Sequence, residues 1–167
     1  MNALFALIGR VLLWASQQYW TIVYSAYRSK YEIDRAFRFN GRAITFYGEG
    51  RIIAGERSYI GELSTVQAVT GHKVTIGRSC QISHNVRVYT QSAVADADFS
   101  RHPVPTRAGD VTFGDFCWIG ANVFVQPGVT IGENSVVGAN SVVSKDIPPF
   151  EIWGGVPARF IRRKRES

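Results

Sequence analysis

The stretch that decides the fold is residues 113–143, FGDFCWIGANVFVQPGVTIGENSVVGANSVV, in which an apolar residue recurs at every sixth position. The leading residues of the successive steps are Phe113, Ile119, Val125, Ile131, Val137 and Val143. A period of six fits neither the repeat of an α-helix nor the simple alternation of a long strand. It is typical of a β-helix, in which short strands and corners alternate, each leading residue points inward, and successive coils stack.

The same register continues towards the N terminus through Ile76, Ile82 and Val88. Three six-residue steps make one triangular coil of about 18 residues. On this register Cys80 and Cys117 are predicted to stack as core residues of neighbouring coils. Two cysteines this far apart in sequence indicate neither a disulfide framework nor a zinc site, and no metal is expected.

Composition limits the function classes. The chain has 167 residues, of which 46% are hydrophobic and 19% charged, as expected for one folded domain. The net charge is +6, and the C-terminal residues 159–167, RFIRRKRES, are strongly basic. Such a tail suits nucleic acid, an anionic lipid surface or a phosphorylated ligand. Because no nucleic-acid recognition motif accompanies it, nucleic acid is not expected as a partner.

The N-terminal residues 1–36 are predicted to form a helical segment, ahead of a β-helix at 37–150 and a C-terminal hairpin with a basic tail at 151–167. The helix is apolar over most of its circumference, with a polar stripe that includes Arg10, Gln17 and Arg28. Arg10 and the glutamines interrupt every window long enough for a membrane span. Such a helix either packs on the domain or a neighbouring subunit, or docks on a membrane surface. Because no signal-peptide cleavage pattern follows it, the expected location is cytoplasmic, peripheral at the inner face of the membrane if the helix docks there.

Residues 119–161, IGANVFVQPGVTIGENSVVGANSVVSKDIPPFEIWGGVPARFI, resemble the hexapeptide-repeat acyltransferases. This left-handed β-helix family includes galactoside, maltose and capsule or O-antigen sugar O-acetyltransferases, and the last group is the most similar. The likeness covers roughly residues 55–164 and includes the SKDIPP exit and the GGVPAR turn. It implies a mainly β fold, a left-handed parallel β-helix of hexapeptide repeats. It also implies acetyl-CoA as acyl donor, a carbohydrate acceptor, a homotrimer, and active sites in the clefts between neighbouring β-helices.

A long insertion interrupts the repeat. From Val88 to Phe113 there are 25 residues where the rhythm needs six, so a loop over about residues 92–110 is predicted to leave the β-helix at a corner. In similar enzymes this loop helps to form the wall of the acceptor site, which makes Asp96 and Asp98 candidates for binding acceptor hydroxyls. The family's catalytic base would stand at position 93, where this sequence has alanine.

Acyl transfer to a hydroxyl needs a base that titrates near neutrality, which is the range of histidine. The candidates are His72, His84 and His102. His72 matches a pattern of related N-acyltransferases, and an 18-residue coil would place it beneath Thr90. His84 occupies a corner and is predicted to stack near Ala121. His102, in SRHPV, resembles the His-Pro loop segment of several relatives.

The resemblance also assigns a donor site. The tryptophan of the cleft corresponds to Trp118, the oxyanion contact to the N–H of Ala121, and the same corner repeats one coil later. Arginine side chains of the C-terminal hairpin would pair with the 3′-phosphate of CoA, because guanidinium groups bind phosphate through two hydrogen bonds. The predicted donor-binding residues are Trp118, Ala121, Ala139, Ser144, Lys145, Arg159, Arg162 and Arg163.

The sequence therefore predicts an acetyl-CoA-dependent O-acetyltransferase that acts on a sugar of a surface polysaccharide or its precursor. Two alternatives stay open. The pattern around His72 favours a sugar-nucleotide N-acetyltransferase, and Ala93 suggests a catalytically silent trimeric scaffold or binding protein.

Overall fold

The computed structural model describes residues 2–165, which form one helix and a β-solenoid of five coils. Helix α1 covers Asn2–Lys30. The first three coils contain β1 (Glu32–Ile33), β2 (Arg38–Asn40), β3 (Thr45–Tyr47), β4 (Arg51–Ala54), β5 (Tyr59–Gly61), β6 (Thr65–Gln67), β7 (Lys73–Ile76), β8 (Gln81–Ile82) and β9 (Arg87–Tyr89). The loop contains β10 (Gln91–Ala93) and β11 (Thr106–Ala108). The last two coils and the C-terminal hairpin contain β12 (Val111–Phe113), β13 (Trp118–Ile119), β14 (Phe124–Val125), β15 (Thr130–Ile131), β16 (Val136–Val137), β17 (Val142–Val143), β18 (Glu151–Gly155) and β19 (Ala158–Arg163).

Three parallel sheets form the faces of the solenoid. Face A contains β1, β4, β7, β12 and β15, and face C contains β3, β6, β9, β14 and β17. Face B contains β2, β5, β8, β13 and β16, and the hairpin of β18 and β19 extends it. The chain turns from face to face at the A–B, B–C and C–A corners. The predicted mainly β solenoid with an N-terminal helix is confirmed.

The interior is filled by the residues that lead each hexapeptide. The six leading residues of residues 113–143 are at most 1% exposed. Each side chain of this size contributes about 1.5–3 kcal/mol when it is fully buried. Cys80 and Cys117 are fully buried, and the pairing of Gln81 with Trp118 stacks them one coil apart. The predicted inward positions, including the two cysteines, are therefore confirmed.

The first two coils are longer than the 18 residues that the repeat predicts. Ten residues separate the buried Val66 from the buried Ile76, and the additional residues form the C–A corner. Thr65 therefore pairs with Arg87, 22 positions later in the sequence. As a result, the position expected for His72, beneath Thr90, is wrong. Pairing of Val74 with Val111 places His72 instead beneath the point where the loop returns to the solenoid.

Helix α1 packs on the first coil through the aromatic side chains of its C-terminal half. The rings of Tyr24 and Phe39 stack with centroids 4.3 Å apart, and those of Tyr27 and Phe46 lie 5.7 Å apart. The first strand follows the helix directly at Glu32, so β structure begins before residue 37, the boundary that the sequence predicted. In the described part of the chain, no helix is long and apolar enough to cross a membrane.

The loop leaves face C after Thr90 and returns at Gly109. The N–H of Gly109 donates to the carbonyl of Thr90 at 2.9 Å, which closes the base of the loop. Its two arms, β10 and β11, pair antiparallel, with Ala93 opposite Thr106. The predicted loop over about residues 92–110 is thus a hairpin that projects from the C–A corner between the third and fourth coils.

Candidate functional site

A ladder of asparagines shapes the B–C corner. Asn85, Asn122 and Asn140 all have positive φ, between 53° and 59°. Asparagine tolerates this left-handed conformation better than most residues. The side-chain amide of Asn85 donates to Asn122 at 2.9 Å, and that of Asn122 donates to Asn140 at 2.9 Å. The ladder fixes the register of three successive coils at this corner.

The residues that precede these asparagines stack at the same corner. The carbonyl of His84 accepts from the Asn122 N–H at 3.0 Å, and the carbonyl of Ala121 accepts from the Asn140 N–H at 2.8 Å. His84, Ala121 and Ala139 therefore occupy equivalent positions in consecutive coils. The predicted stacking of His84 on Ala121, and the repeat of the corner at Ala139, are confirmed.

Three backbone N–H groups at this corner, those of His84, Ala121 and Ala139, have no hydrogen-bond partner among the described residues. Ala121 and Ala139 both lie at the accessible surface, so their N–H groups are available to a ligand. Gly120 allows the coils to approach here, because a Cβ at position 120 would lie 2.5 Å from the nitrogen of Ala139. Fixed N–H donors of this kind suit a carbonyl oxygen that becomes negatively charged during a reaction.

At the C–A corner, a histidine and a carboxylate meet. Nδ1 of His72 lies 3.1 Å from Oδ1 of Asp110, and the Lys73 N–H donates to the same oxygen at 3.1 Å. Desolvation raises the pKa of Asp110, but the hydrogen bonds from Lys73 and His72 outweigh it and hold this pKa below its ordinary value. The side chains of His72 and Asp110 are 32% and 45% exposed, so the pair is accessible to a ligand.

A cavity of about 260 Å³ lies beside this pair. Its lining combines side chains of both charges with backbone groups, which suits a ligand rich in hydroxyls. The lining residues are Glu49, Gly50, Arg51, Gly71, His72, Lys73 and Asp110. Sequence reasoning missed Asp110, because no periodic signal links it to a histidine 38 positions earlier.

The loop residues have different roles. The carboxylate of Asp98 accepts from the N–H and hydroxyl of Ser100 at 3.0 and 2.6 Å and pairs with Arg101 at 3.0 Å. The hydrogen bonds from Ser100 lower the pKa of Asp98, so this carboxylate holds the turn of the loop. Asp96 and His102 are exposed. The predicted parts of Asp96 and Asp98 in acceptor binding and of His102 in catalysis stay predictions.

Within one chain the three histidines do not converge. His84 belongs to the B–C corner and His72 to the C–A corner, and β9 of face C separates them. His102 lies on the projecting loop. A site that uses His72 together with the N–H groups of Ala121 and Ala139 therefore needs groups from both sides of face C.

Ser144 and Lys145 follow β17 at the C–A corner, and both are exposed. They flank the same face C as Ala139, which precedes that strand. Trp118 lies on face B and is 54% exposed. It lines a cavity of about 460 Å³ together with Ser79, Gln81, Phe116, Asn134, Val136 and Lys164.

The structure separates the three arginines that the sequence grouped. Arg159 pairs with Gly154, whose Cα lies 3.8 Å from the position of a Cβ on Gly138, next to the Ala139 corner. Arg162 and Arg163 pair with Ile152 and Glu151, at the other end of the hairpin. Because β19 runs away from the B–C corner at about 3.3 Å per residue, Arg163 lies roughly 13 Å further from it than Arg159.

Comparison with known proteins places the chain in a family. A family model described as bacterial transferase hexapeptide (six repeats) matches residues 110–145. The solved structure of a hexapeptide-repeat acetyltransferase from Vibrio cholerae is 30% identical, with a TM-score of 0.72 over 99% of this chain and 93% of that chain. The chain belongs to the hexapeptide-repeat transferase family.

This hexapeptide-repeat protein has further relatives. The galactoside O-acetyltransferase of Escherichia coli (strain K12) is 36% identical over 140 residues, which are 84% of this chain and 57% of that enzyme. The Vibrio cholerae protein has also been solved in complex with acetyl coenzyme A, with a TM-score of 0.69 at 30% identity over 86% of this chain and 76% of that chain. The hexapeptide-repeat protein thus spans little more than half the length of the Escherichia coli enzyme.

Proposed function

We propose that this protein transfers the acetyl group of acetyl-CoA to a sugar hydroxyl of a surface polysaccharide or its precursor. The observation that carries the proposal is the pair of unbonded N–H groups of Ala121 and Ala139 at an exposed corner. Two relatives support it: one is named a galactoside O-acetyltransferase, and the other has been solved in complex with acetyl coenzyme A. The pantetheine arm would follow this corner, with the thioester carbonyl on the Ala121 N–H and the CoA phosphates towards Arg159. Lys145 lies on the other side of face C, so it would reach the phosphates from a neighbouring protomer.

The base in this proposal is His72. The Asp110 carboxylate on Nδ1 fixes the tautomer and the direction of the ring, so that Nε2 is the basic atom. Among the described residues, no side-chain partner orients His84 or His102 in this way. Asp110 acts as a positioning residue through His72.

The site would be completed by a second copy of the chain. Face C separates the His72 corner from the Ala121 corner, so one chain does not bring the base to the thioester. In a homotrimer, the C–A corner and loop of one protomer would face the B–C corner of its neighbour. The cavity beside His72 would then hold the sugar against the acetyl group.

The reaction follows from these positions. Nε2 of His72 takes the proton of the acceptor hydroxyl while the oxygen attacks the thioester carbon. The carbonyl oxygen becomes negatively charged and is stabilised by the Ala121 N–H. The C–S bond then breaks, the departing sulfur receives the proton from the His72 imidazolium, and the sugar leaves as its acetate ester.

The test is release of CoA from acetyl-CoA, with methyl galactoside, maltose and an amino-sugar nucleotide compared as acceptors. For His72→Ala we expect kcat to fall about 10²–10⁴-fold, the usual contribution of a general base. Acetyl-CoA affinity should stay unchanged. Asp110→Asn should lower kcat more than it changes KM and should shift the pH profile of kcat, an effect that a purely structural role would not produce.

Three results would redirect the proposal. If His84→Ala or His102→Ala stops turnover and His72→Ala does not, the base is another histidine. Preference for the amino-sugar nucleotide would indicate N-acetylation, as the sequence pattern around His72 favours. Binding of acetyl-CoA without turnover on any acceptor class would indicate a scaffold.

A further inference from the structure

Helix α1 carries a continuous apolar surface that the domain does not cover. Successive residues of a helix are about 100° apart, which places seven large apolar side chains within a sector roughly 120° wide. Each is between 44% and 71% exposed. These residues, called here the outer sector, are Leu4, Phe5, Ile8, Val11, Leu12, Tyr19 and Ile22.

The outer sector points away from the solenoid. The side chains that pack on the first coil, Trp20, Tyr24 and Tyr27, are centred about 130° from it around the helix. Docking of α1 on the domain therefore leaves the whole sector free. From Leu4 to Ile22 the sector is about 27 Å long. An uninterrupted apolar surface of this length on an otherwise folded protein marks an interaction site.

The charge around this surface selects the partner. Residues 1–31 contain Arg10, Arg28 and Lys30 and no aspartate or glutamate. The first coil, residues 31–50, contains equal numbers of basic and acidic residues, so residues 1–50 together have a net charge of +3. Pairing of two copies through their outer sectors would bring together two ends that each have a net charge of +3. An anionic surface complements this end of the molecule.

We propose that the outer sector of α1 docks on an anionic membrane surface. The helix lies in the plane of the interface, with its apolar side chains at the headgroup boundary, and the net positive charge of this end of the molecule is attracted to the anionic surface. Arg28 donates to the carbonyls of Asp34 and Phe37, and Lys30 pairs with Glu49 at 2.8 Å, so the attraction is long-range and not a set of direct phosphate contacts. Arg10 and Gln17 belong to the polar stripe, which lies on the opposite side of the helix and stays in water. The proposal does not depend on the acyl-transfer reaction.

The experiment is co-sedimentation of the full-length protein with vesicles of phosphatidylcholine and phosphatidylglycerol, and with vesicles of phosphatidylcholine alone. Leu12→Glu places a charge in the outer sector. Gln17→Glu is the matched control, because it adds the same charge to the polar stripe of the same helix. Leu12→Glu should weaken partitioning to the anionic vesicles at least tenfold, whereas Gln17→Glu should stay within about twofold of the unmodified protein.

Three results would overturn the proposal. The first is equal partitioning of the unmodified protein and Leu12→Glu. The second is equal binding to the two vesicle types, because charge complementarity would then have no effect. The third is a smaller assembly of Leu12→Glu in sedimentation velocity without lipid, which would show that a second copy of the chain covers the outer sector. Circular dichroism spectra and melting temperatures check that both variants fold. Both should equal those of the unmodified protein, because positions 12 and 17 are exposed.

Discussion

Replacing Gly120 by alanine tests whether the stacked corner amides form the donor site. A Cβ at position 120 would lie 2.5 Å from the nitrogen and 2.8 Å from the Cα of Ala139, where ordinary contact begins at 3.4 Å. The two coils would therefore have to separate by about 0.9 Å at this corner. The atoms involved are backbone, so no side chain can rotate out of the way.

The expected loss of stability can be estimated from the backbone hydrogen bonds that join the two coils at this corner. The Gly120 N–H donates to Val137 at 2.8 Å, and the Asn140 N–H donates to Ala121 at 2.8 Å. Separation of the coils would stretch both bonds, and overpacking of this kind typically costs 1–3 kcal/mol. In a chain of this length that corresponds to a fall in Tm of about 2–12 °C. Displacement of a substrate-binding group by about 1 Å lowers kcat/KM on the order of 10²-fold.

Gly138→Ala is the matched control. It occupies the equivalent corner one coil later, and its Cβ would meet Trp153 and Gly154 at 3.5 and 3.8 Å, which is ordinary contact. We expect its stability to stay within about 0.5 kcal/mol of the unmodified protein. Thermal melts, calorimetric titration with acetyl-CoA and CoA release then compare the two variants.

The measurements distinguish an effect on thermal stability from an effect on acetyl-CoA binding. We expect Gly120→Ala to melt earlier and to bind acetyl-CoA at least tenfold more weakly, which is about 1.4 kcal/mol. A lower Tm with unchanged acetyl-CoA affinity would refute the assignment of the donor site. A Tm equal to that of Gly138→Ala would refute the close stacking itself.

Three further predictions concern stability. Ile119 is fully buried, so Ile119→Ala should lower the free energy of unfolding by about 2–5 kcal/mol and Ile119→Val by about 0.5–1.5 kcal/mol in denaturant titrations; equal losses would contradict the packing. The buried Ser141 hydroxyl donates to a backbone carbonyl at 2.6 Å and accepts from a backbone N–H at 3.0 Å. Ser141→Ala should therefore cost about 1–3 kcal/mol by the same measurement, and a neutral result would show that another group satisfies both. The pKa of Asp110 is lowered in the folded state, so its carboxylate adds stability above its ordinary value of 3.8, and this is lost as pH falls through the lower folded value. The Tm difference between the unmodified protein and Asp110→Asn should accordingly shrink below that pH, and a constant difference would contradict the prediction.

The repeat made most of the fold predictable, because the inward position in each hexapeptide can be recognised from neighbouring residues alone. An apolar residue at every sixth position must face inward in each coil, so Phe113, Ile119 and their equivalents could be assigned without tertiary information. The B–C corner was predictable for the same reason. Coils of 18 residues, as between Phe124 and Val142, place equivalent corner residues directly above one another.

Prediction failed where the number of residues in a corner, or the direction of a strand, does not follow the six-residue repeat. The additional residues between Val66 and Ile76 changed which residue His72 lies beneath. The antiparallel return of β19 separated Arg163 from Arg159, although they are close in sequence. The first effect appears in the hydrophobic pattern only as a step of ten positions from Val66 to Ile76, which does not say where the additional residues lie. The second leaves no trace in that pattern, because Arg159 and Arg163 are exposed and do not contribute to the core.

The sequence by itself determined the solenoid, its inward residues, the extruded loop and the stacking of His84, Ala121 and Ala139. All of these depend on short-range spacing, which the hydrophobic effect converts directly into burial. The tertiary structure alone decided the contact of His72 with Asp110, the place of each arginine on the hairpin, and which side of the apolar helix meets the domain. These depend on how distant segments meet in space, and each is fixed by packing and hydrogen bonding between coils.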